Sequence, residues 1–175
     1  MLIQPFIRRT VLADLEAHLT APEITLIVGP RQAGKTTLMR QLEKQLKANG
    51  ECTLFLSVDV GSDKQFFETQ ESLVQKLELD FGNARGVVFL DEIQRKENAG
   101  LFLKGIYDRN LPYKLVVSGS GSVELKEKVH ESLTGRKALF EVLPVSFFEF
   151  ADFQTEYRYT DRLPAFFAAD ANQTQ

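Results

Sequence analysis

Residues 29–36, GPRQAGKT, are of the types that can bind a chain of phosphate groups. Gly29 and Gly34 stand five positions apart, and Lys35 and Thr36 directly follow the second glycine. Glycines allow the backbone to bend around an anion and to present successive N–H groups to it. The spacing G-x-x-x-x-G-K-[ST] predicts that Lys35 reaches the β- and γ-phosphates and that the Thr36 hydroxyl holds Mg²⁺.

The motif therefore predicts a binding site for a nucleoside polyphosphate. A chance glycine turn is the alternative, and it is disfavoured because the loop lies between a strand pattern and a helix pattern, as the motif requires. The Arg31 side chain has two open interpretations, contact with phosphate or exposure to solvent. The residues expected to bind the nucleotide in this loop are Gly29, Pro30, Arg31, Gln32, Ala33, Gly34, Lys35 and Thr36.

A second segment, GVVFLDEIQ at 86–94, combines an apolar run with two carboxylates, Asp91 and Glu92. At the carboxyl edge of a parallel sheet, Asp91 can reach the Mg²⁺ coordination sphere. Neighbouring side chains of a strand point in different directions, so Glu92 can face a water near the γ-phosphate and act as its base. A simple acidic strand end is the alternative, but together with the phosphate loop the pair favours hydrolysis.

Two further residues are expected near the same edge. Ser118 ends the apolar run of 114–118, where its hydroxyl could hold the attacking water or a γ-phosphate oxygen, while residues 119–122 are interpreted as a flexible Gly/Ser turn. Asp59 follows another apolar run and is the residue that least fits hydrolysis. Small-molecule kinases often place a carboxylate near that point to hold the acceptor.

Strand patterns alternate with helix patterns along the chain. Near-continuous apolar runs predict strands at 23–28, 52–58, 86–91, 114–118 and 137–143. Helical periodicity predicts helices at 8–20, 35–49, 70–80 and 97–109, and at another marked by Leu125, Val129 and Leu133. This alternation predicts an α/β fold, a doubly wound parallel sheet with helices on both faces.

Composition sets the broad class. The 175 residues carry a net charge of −3, which argues against a general polyanion-binding surface. Cys52 is the only cysteine, and its apolar surroundings predict a buried free thiol. Arg8 and Arg9 are expected to be solvated, with a position near the adenine as the alternative. The N-terminus resembles no targeting segment, so we expect a soluble, cytoplasmic protein.

Four segments in this order, GPRQAGKTTL, FLDEIQ, SGSGS and SLTGRKALFEVLPVSFFEF, resemble a prokaryotic group of AAA-like P-loop ATPases. The resemblance covers residues 5 to 155 and implies ATP and Mg²⁺ as ligands. It implies the ASCE strand order 5-1-4-3-2, with the Ser118 strand between those of the phosphate loop and of Asp91. Members of the group commonly carry a further C-terminal domain.

The resemblance also implies residue roles. Lys35, Thr36, Asp91 and Glu92 would take the Walker roles and Ser118 the sensor role. Thr37 would contact the α-phosphate. Arg136 would face a γ-phosphate, in its own subunit or a neighbour's, with a surface ion pair as the alternative.

The predicted organisation is an ATPase domain at 1–155, followed by a tail or the beginning of a missing lid or C-terminal domain at 156–175. The expected partners are another protein, a second copy of the chain or that missing domain. The Phe-rich segment 147–150 is expected in the core, but it would mark a docking face if its rings were exposed. Nucleic acid is not indicated by the charge.

The leading functional prediction is an Mg-dependent ATPase that converts the nucleotide state into movement or assembly. Two alternatives are a P-loop kinase that phosphorylates a small-molecule hydroxyl and a nucleotide-gated scaffold with negligible turnover. A GTPase is disfavoured because no Asn-Lys-x-Asp segment occurs.

Overall fold

The computed structural model describes residues 6–82, 84–120 and 131–162. Five strands form the sheet: β1 (Ile24–Gly29), β2 (Cys52–Ser57), β3 (Gly86–Asp91), β4 (Tyr113–Ser120) and β5 (Lys137–Glu141). Five described helices accompany them: α1 (Val11–His18), α2 (Lys35–Ala48), α3 (Gln70–Phe81), α4 (Ala99–Tyr107) and α5 (Phe147–Gln154). Short 3₁₀ turns span Lys64–Phe67 and Ile93–Arg95. The helix predicted from Leu125, Val129 and Leu133 lies mostly on 121–130, outside the described residues; residues 131–132 are helical and Leu133 is buried.

The strand order is β2-β3-β4-β1-β5, and every neighbouring pair is parallel. This order confirms the predicted α/β sheet, with β4 inserted between β1 and β3. Parallel pairing places the carboxyl ends of all five strands at one edge. The register pairs Ser57 with Asp91 and Ile27 with Ser118, so polar residues from three strands gather beyond the end of β1.

The core consists of two apolar layers, one on each face of the sheet. Successive strand residues point to opposite faces. Thus Leu26 and Val28 pack in the layer with α3 and α4, whereas Ile27 packs in the layer with α1 and α2. All residues of β1 and β3 are buried, because both faces of these central strands are covered.

Two burial predictions are wrong. The Cys52 thiol is exposed, because Cys52 begins the edge strand β2, where the residues are less covered than in the central strands. The Phe-rich helix α5 lies after the other edge strand, and Phe147 and Phe150 are 63% and 47% exposed. The buried residue of α5 is instead Glu149, whose side chain completes a capping box with Ser146 at the start of the helix.

Gly29 is required by a close approach between two chain segments. A Cβ atom at Gly29 would lie 2.0 Å from the Val142 carbonyl oxygen. Val142 is held this close to Gly29 because its N–H donates to the Val28 carbonyl oxygen at 2.7 Å. The first glycine of the phosphate-loop motif is therefore also a packing residue.

We expect Gly29→Ala to lower the free energy of unfolding by about 3 kcal/mol, since backbone must move to admit the methyl group. Denaturant titration followed by circular dichroism measures this change. Gly61→Ala is the matched control, because nothing lies within 4 Å of a Cβ atom there. Equal unfolding midpoints for the two variants would contradict the close-approach argument.

Candidate functional site

The loop between β1 and α2 has the backbone shape of an anion-binding turn. Gln32 and Gly34 adopt positive φ angles of 64° and 92°, within a turn that leads from β1 into α2. Gly34 is the N-cap of α2 and offers no side chain to the first-turn N–H groups. Those N–H groups and the positive end of the helix suit a bound anion.

Lys35 lies inside this turn. It is only 6% exposed, and its Nζ donates to the carbonyl oxygens of Gly29 and Pro30, each at 2.9 Å. An ammonium group has three donors, so these two bonds orient it and leave one for a phosphate oxygen. The charge is therefore held in place before any ligand arrives.

Thr36 and Asp91 meet across the gap between α2 and β3. The Thr36 hydroxyl donates to Asp91 Oδ2 at 2.8 Å. Mg²⁺ prefers oxygen ligands from a hydroxyl, a carboxylate and phosphates together with water. The donor set is therefore of the kind that Mg²⁺ binds, and these two residues would hold it.

Ser118 lies behind Asp91 and does not line the cavity. It is fully buried, its hydroxyl donates to Asp91 Oδ1, and its oxygen accepts the Glu92 N–H at 3.2 Å. The structure thus brings Ser118 to the expected edge of the sheet, but its hydroxyl bonds to the two acidic residues. In this arrangement it orients them, and Ser118 itself is not among the residues that line the cavity.

Glu92 follows β3 in a left-handed conformation, with φ at 57°. A residue other than glycine in that region is strained by about 1–3 kcal/mol and is characteristic of functional sites. The turn carries the Glu92 side chain away from the sheet and into the lining of a cavity. Asp91 and Glu92 both line this cavity, with Asp91 bonded to Thr36 and Glu92 bonded to Gln94.

Gln94 and Arg95 are site residues that the sequence did not reveal. The Gln94 amide donates to the Glu92 carboxylate and accepts the Ser120 N–H at 2.9 Å, so it ties Glu92 to the end of β4. Arg95 Nε pairs with Asp59 and lies 4.0 Å from Glu92 Oε2. The feature of the sequence that could have indicated them is their position directly after the two carboxylates, Asp91 and Glu92.

These side chains surround one open cavity of about 570 Å³ at the carboxyl edge of the sheet. The phosphate loop forms one wall, and the ends of β2 and β3 form the other. Gly29, Pro30 and Ala33 belong to the loop without lining the cavity. The lining residues are Arg31, Gln32, Gly34, Lys35, Thr36, Thr37, Ser57, Asp59, Asp91, Glu92 and Arg95.

Arg136 lies away from this site, which corrects the expectation of a γ-phosphate contact within its own chain. It precedes β5 and therefore lies at the amino edge of the parallel sheet, opposite to the phosphate loop. Its Nε pairs with Asp108 at 2.8 Å. The surface ion pair was the alternative interpretation of this residue, and the structure has that pair.

Arg9 is the second arginine whose environment differs from the expectation. Its side chain is only 8% exposed, and it contacts Glu149 and the Ala33 carbonyl of the phosphate loop. Arg8 is exposed, with its guanidinium carbon 4.6 Å from the centre of the Tyr157 ring. Solvation was therefore a correct prediction for Arg8 and a wrong one for Arg9.

A parallel sheet with β4 between β1 and β3, a glycine turn opening a helix and a Thr36–Asp91 pair define the P-loop NTPase class. A family model described as an AAA domain matches residues 21–151. The chain belongs to this family and is an AAA-like P-loop ATPase domain.

Curated relatives are consistent with this family. "Uncharacterized protein Rv2008c" from Mycobacterium tuberculosis is 32% identical over 136 residues, which cover 77% of this chain and 28% of that protein. "Phosphate import ATP-binding protein PstB 1" from Streptococcus pyogenes serotype M6 is 26% identical over 132 residues, covering 73% of this chain and 52% of that protein. The chain thus spans at most about half the length of these relatives. Among the described residues, no helix is long and apolar enough to cross a membrane.

Proposed function

We propose that this chain binds Mg-ATP in the cavity beside the phosphate loop and hydrolyses it. In this proposal the loop N–H groups and Lys35 bind the β- and γ-phosphates, and Thr37 contacts the α-phosphate. Thr36 and Asp91 hold Mg²⁺, which would neutralise phosphate charge. Glu92 orients and deprotonates the attacking water. The observation that carries the proposal is the Thr36–Asp91 bond of 2.8 Å, with Glu92 on the wall of the same cavity.

The remaining predicted residues take supporting roles in this proposal. Ser118 orients Asp91 and the Glu92 backbone, since its hydroxyl bonds to both. Arg136 is left out of the reaction within its own chain because of its pairing with Asp108. An arginine acting on the γ-phosphate would then have to be a different one, either Arg31 or Arg95, which line the cavity, or an arginine of a neighbouring chain.

A kinase is less well supported than a hydrolase. Its expected acceptor group, the Asp59 carboxylate, lines the cavity but is already paired with Arg95. An acceptor hydroxyl would have to share that carboxylate with the guanidinium. Glu92 contacts the same Arg95 less closely, with 4.0 Å between Arg95 Nε and Glu92 Oε2, and its other oxygen, Oε1, could accept a water molecule.

We further propose that hydrolysis serves movement or assembly with a protein partner. The exposed aromatic side chains of α5 support a protein partner rather than a nucleic acid, as does the net charge of −3.

We propose that the ATPase domain extends somewhat beyond the expected range of 1–155. The Tyr157 hydroxyl accepts the Arg8 N–H at 2.9 Å and thereby ties the following residues to the N-terminal segment.

Phosphate release from ATP tests this function. We expect release that requires Mg²⁺, stops with a chelator and incorporates oxygen from isotopically labelled water into the phosphate. Such incorporation identifies water as the acceptor. Release that depended on an added small hydroxyl compound would support the kinase instead. Thermal stabilisation by ATP without any product over hours would support the scaffold.

A further inference from the structure

Arg9 joins three segments that are distant in the sequence. Its Nη1 donates to the Ala33 carbonyl oxygen at 2.8 Å, and its Nη2 donates to the Leu143 carbonyl oxygen. Its Nε lies 3.2 Å from Glu149 Oε1. The planar guanidinium thus connects the phosphate loop, the segment after β5 and helix α5 at once.

Glu149 is itself held in place as a carboxylate. Its oxygens also accept the Thr10 N–H at 2.9 Å and the Ser146 N–H at 2.8 Å. Burial favours the neutral acid, but hydrogen bonds from the Ser146 and Thr10 backbone and the Arg9 charge outweigh burial and lower the pKa of Glu149. The Arg9–Glu149 pair is therefore charged at neutral pH, and it anchors Arg9 against the loop.

The contact of Arg9 with the Ala33 carbonyl also fixes the direction of the neighbouring Gly34 N–H in the phosphate loop. The Ala33 carbonyl and the Gly34 N–H belong to one peptide unit, and a trans peptide directs these two groups to opposite sides. Arg9 also lies directly against Gly34, since a Cβ atom there would be 3.4 Å from Arg9 Nη1. A bond that holds the carbonyl toward Arg9 therefore holds the Gly34 N–H away from Arg9.

We infer that Arg9 is a positioning residue that aims the Gly34 N–H at the polyphosphate without touching the nucleotide. The inference rests on the proposed function, because it names how that nucleotide site is kept in shape. Gly34 lines the cavity, whereas Arg9 is not among the lining residues. Helix α5 thereby contributes to the phosphate site through Glu149, although it lies after the last strand of the sheet.

The test compares the affinity of two ligands, Mg-ATP and inorganic tripolyphosphate with Mg²⁺, by calorimetry on folded protein. Arg9→Lys keeps the charge but has a single nitrogen in place of the three that bond to Glu149, Ala33 and Leu143. We expect it to weaken both ligands by the same factor, about tenfold, because the Gly34 N–H loses its orientation. Arg8→Lys is the matched control, since Arg8 is exposed and contacts Tyr157, and it should bind both ligands as the unaltered protein does.

Glu149→Gln provides a second measurement if Arg9→Lys does not fold. It removes the charge that anchors Arg9 and should weaken both ligands by about threefold. Unchanged affinity in either folded variant would overturn the inference while leaving the proposed function intact. Weaker binding of ATP alone would also overturn it, because that result places Arg9 near the base. If the unaltered protein binds neither ligand, the proposed function and this inference both fail.

Discussion

Lys35→Ala is expected to raise the dissociation constant for Mg-ATP by at least about a hundredfold, which removes measurable binding at ordinary concentrations. The ammonium group is buried in the turn and is held there by the Gly29 and Pro30 carbonyl oxygens. An alanine leaves the phosphate oxygens without that cation. Calorimetric titration with Mg-ATP measures the loss.

Lys44→Ala is the matched control for this substitution. Lys44 belongs to the same helix, α2, but it is exposed and does not line the cavity. Its removal changes the net charge equally and should leave the affinity unchanged. Because Lys35 also bonds to the loop, both variants need melting curves to show that the protein is folded. Tight Mg-ATP binding by folded Lys35→Ala would refute the assignment of the phosphate site.

Glu92→Gln is expected to retain Mg-ATP binding and to lower the turnover number by about a hundredfold to ten-thousandfold. Glutamine keeps the shape of the side chain and can still accept the hydrogen bond from Gln94. It cannot accept a proton from water at neutral pH. The measurements are single-turnover phosphate release and the Mg-ATP dissociation constant on the same preparation.

Glu97→Gln separates this effect from a general loss of negative charge. Glu97 is exposed, lies five positions further along the chain and does not line the cavity. We expect its turnover to equal that of the unaltered protein. If Glu92→Gln also turned over ATP at the unaltered rate, the carboxylate would not be the base, and water activation would have to be assigned elsewhere.

The fold and the central part of the site were predictable because their signals are local. The five apolar runs marked the strands, and the glycine spacing from Gly29 to Gly34 marked a turn between a strand and a helix. Asp91 was predictable for the same reason, since it ends an apolar run whose carboxyl end must lie at the ligand edge of a parallel sheet.

The contacts of Ser118 and Arg136 could not be predicted from the residues next to them in the sequence. The sequence placed Ser118 at the correct edge, but only packing determined that its hydroxyl bonds to Asp91 behind the cavity. The role suggested for Arg136 came from a family resemblance. The parallel direction of β5 places that residue at the opposite edge, beside Asp108.

By itself, the sequence determined the phosphate turn and the acidic strand end, because a few adjacent residues dictate each backbone conformation and its chemistry. Only the tertiary structure decided the long-range polar contacts, such as the pairing of Arg9 with Glu149 across 140 positions. An arginine at the surface and an arginine that is buried against a carboxylate are the same residue type in the sequence. Whether such a side chain is exposed or buried depends on the distant segments that pack around it in the folded chain. The residues next to it in the sequence do not identify those segments.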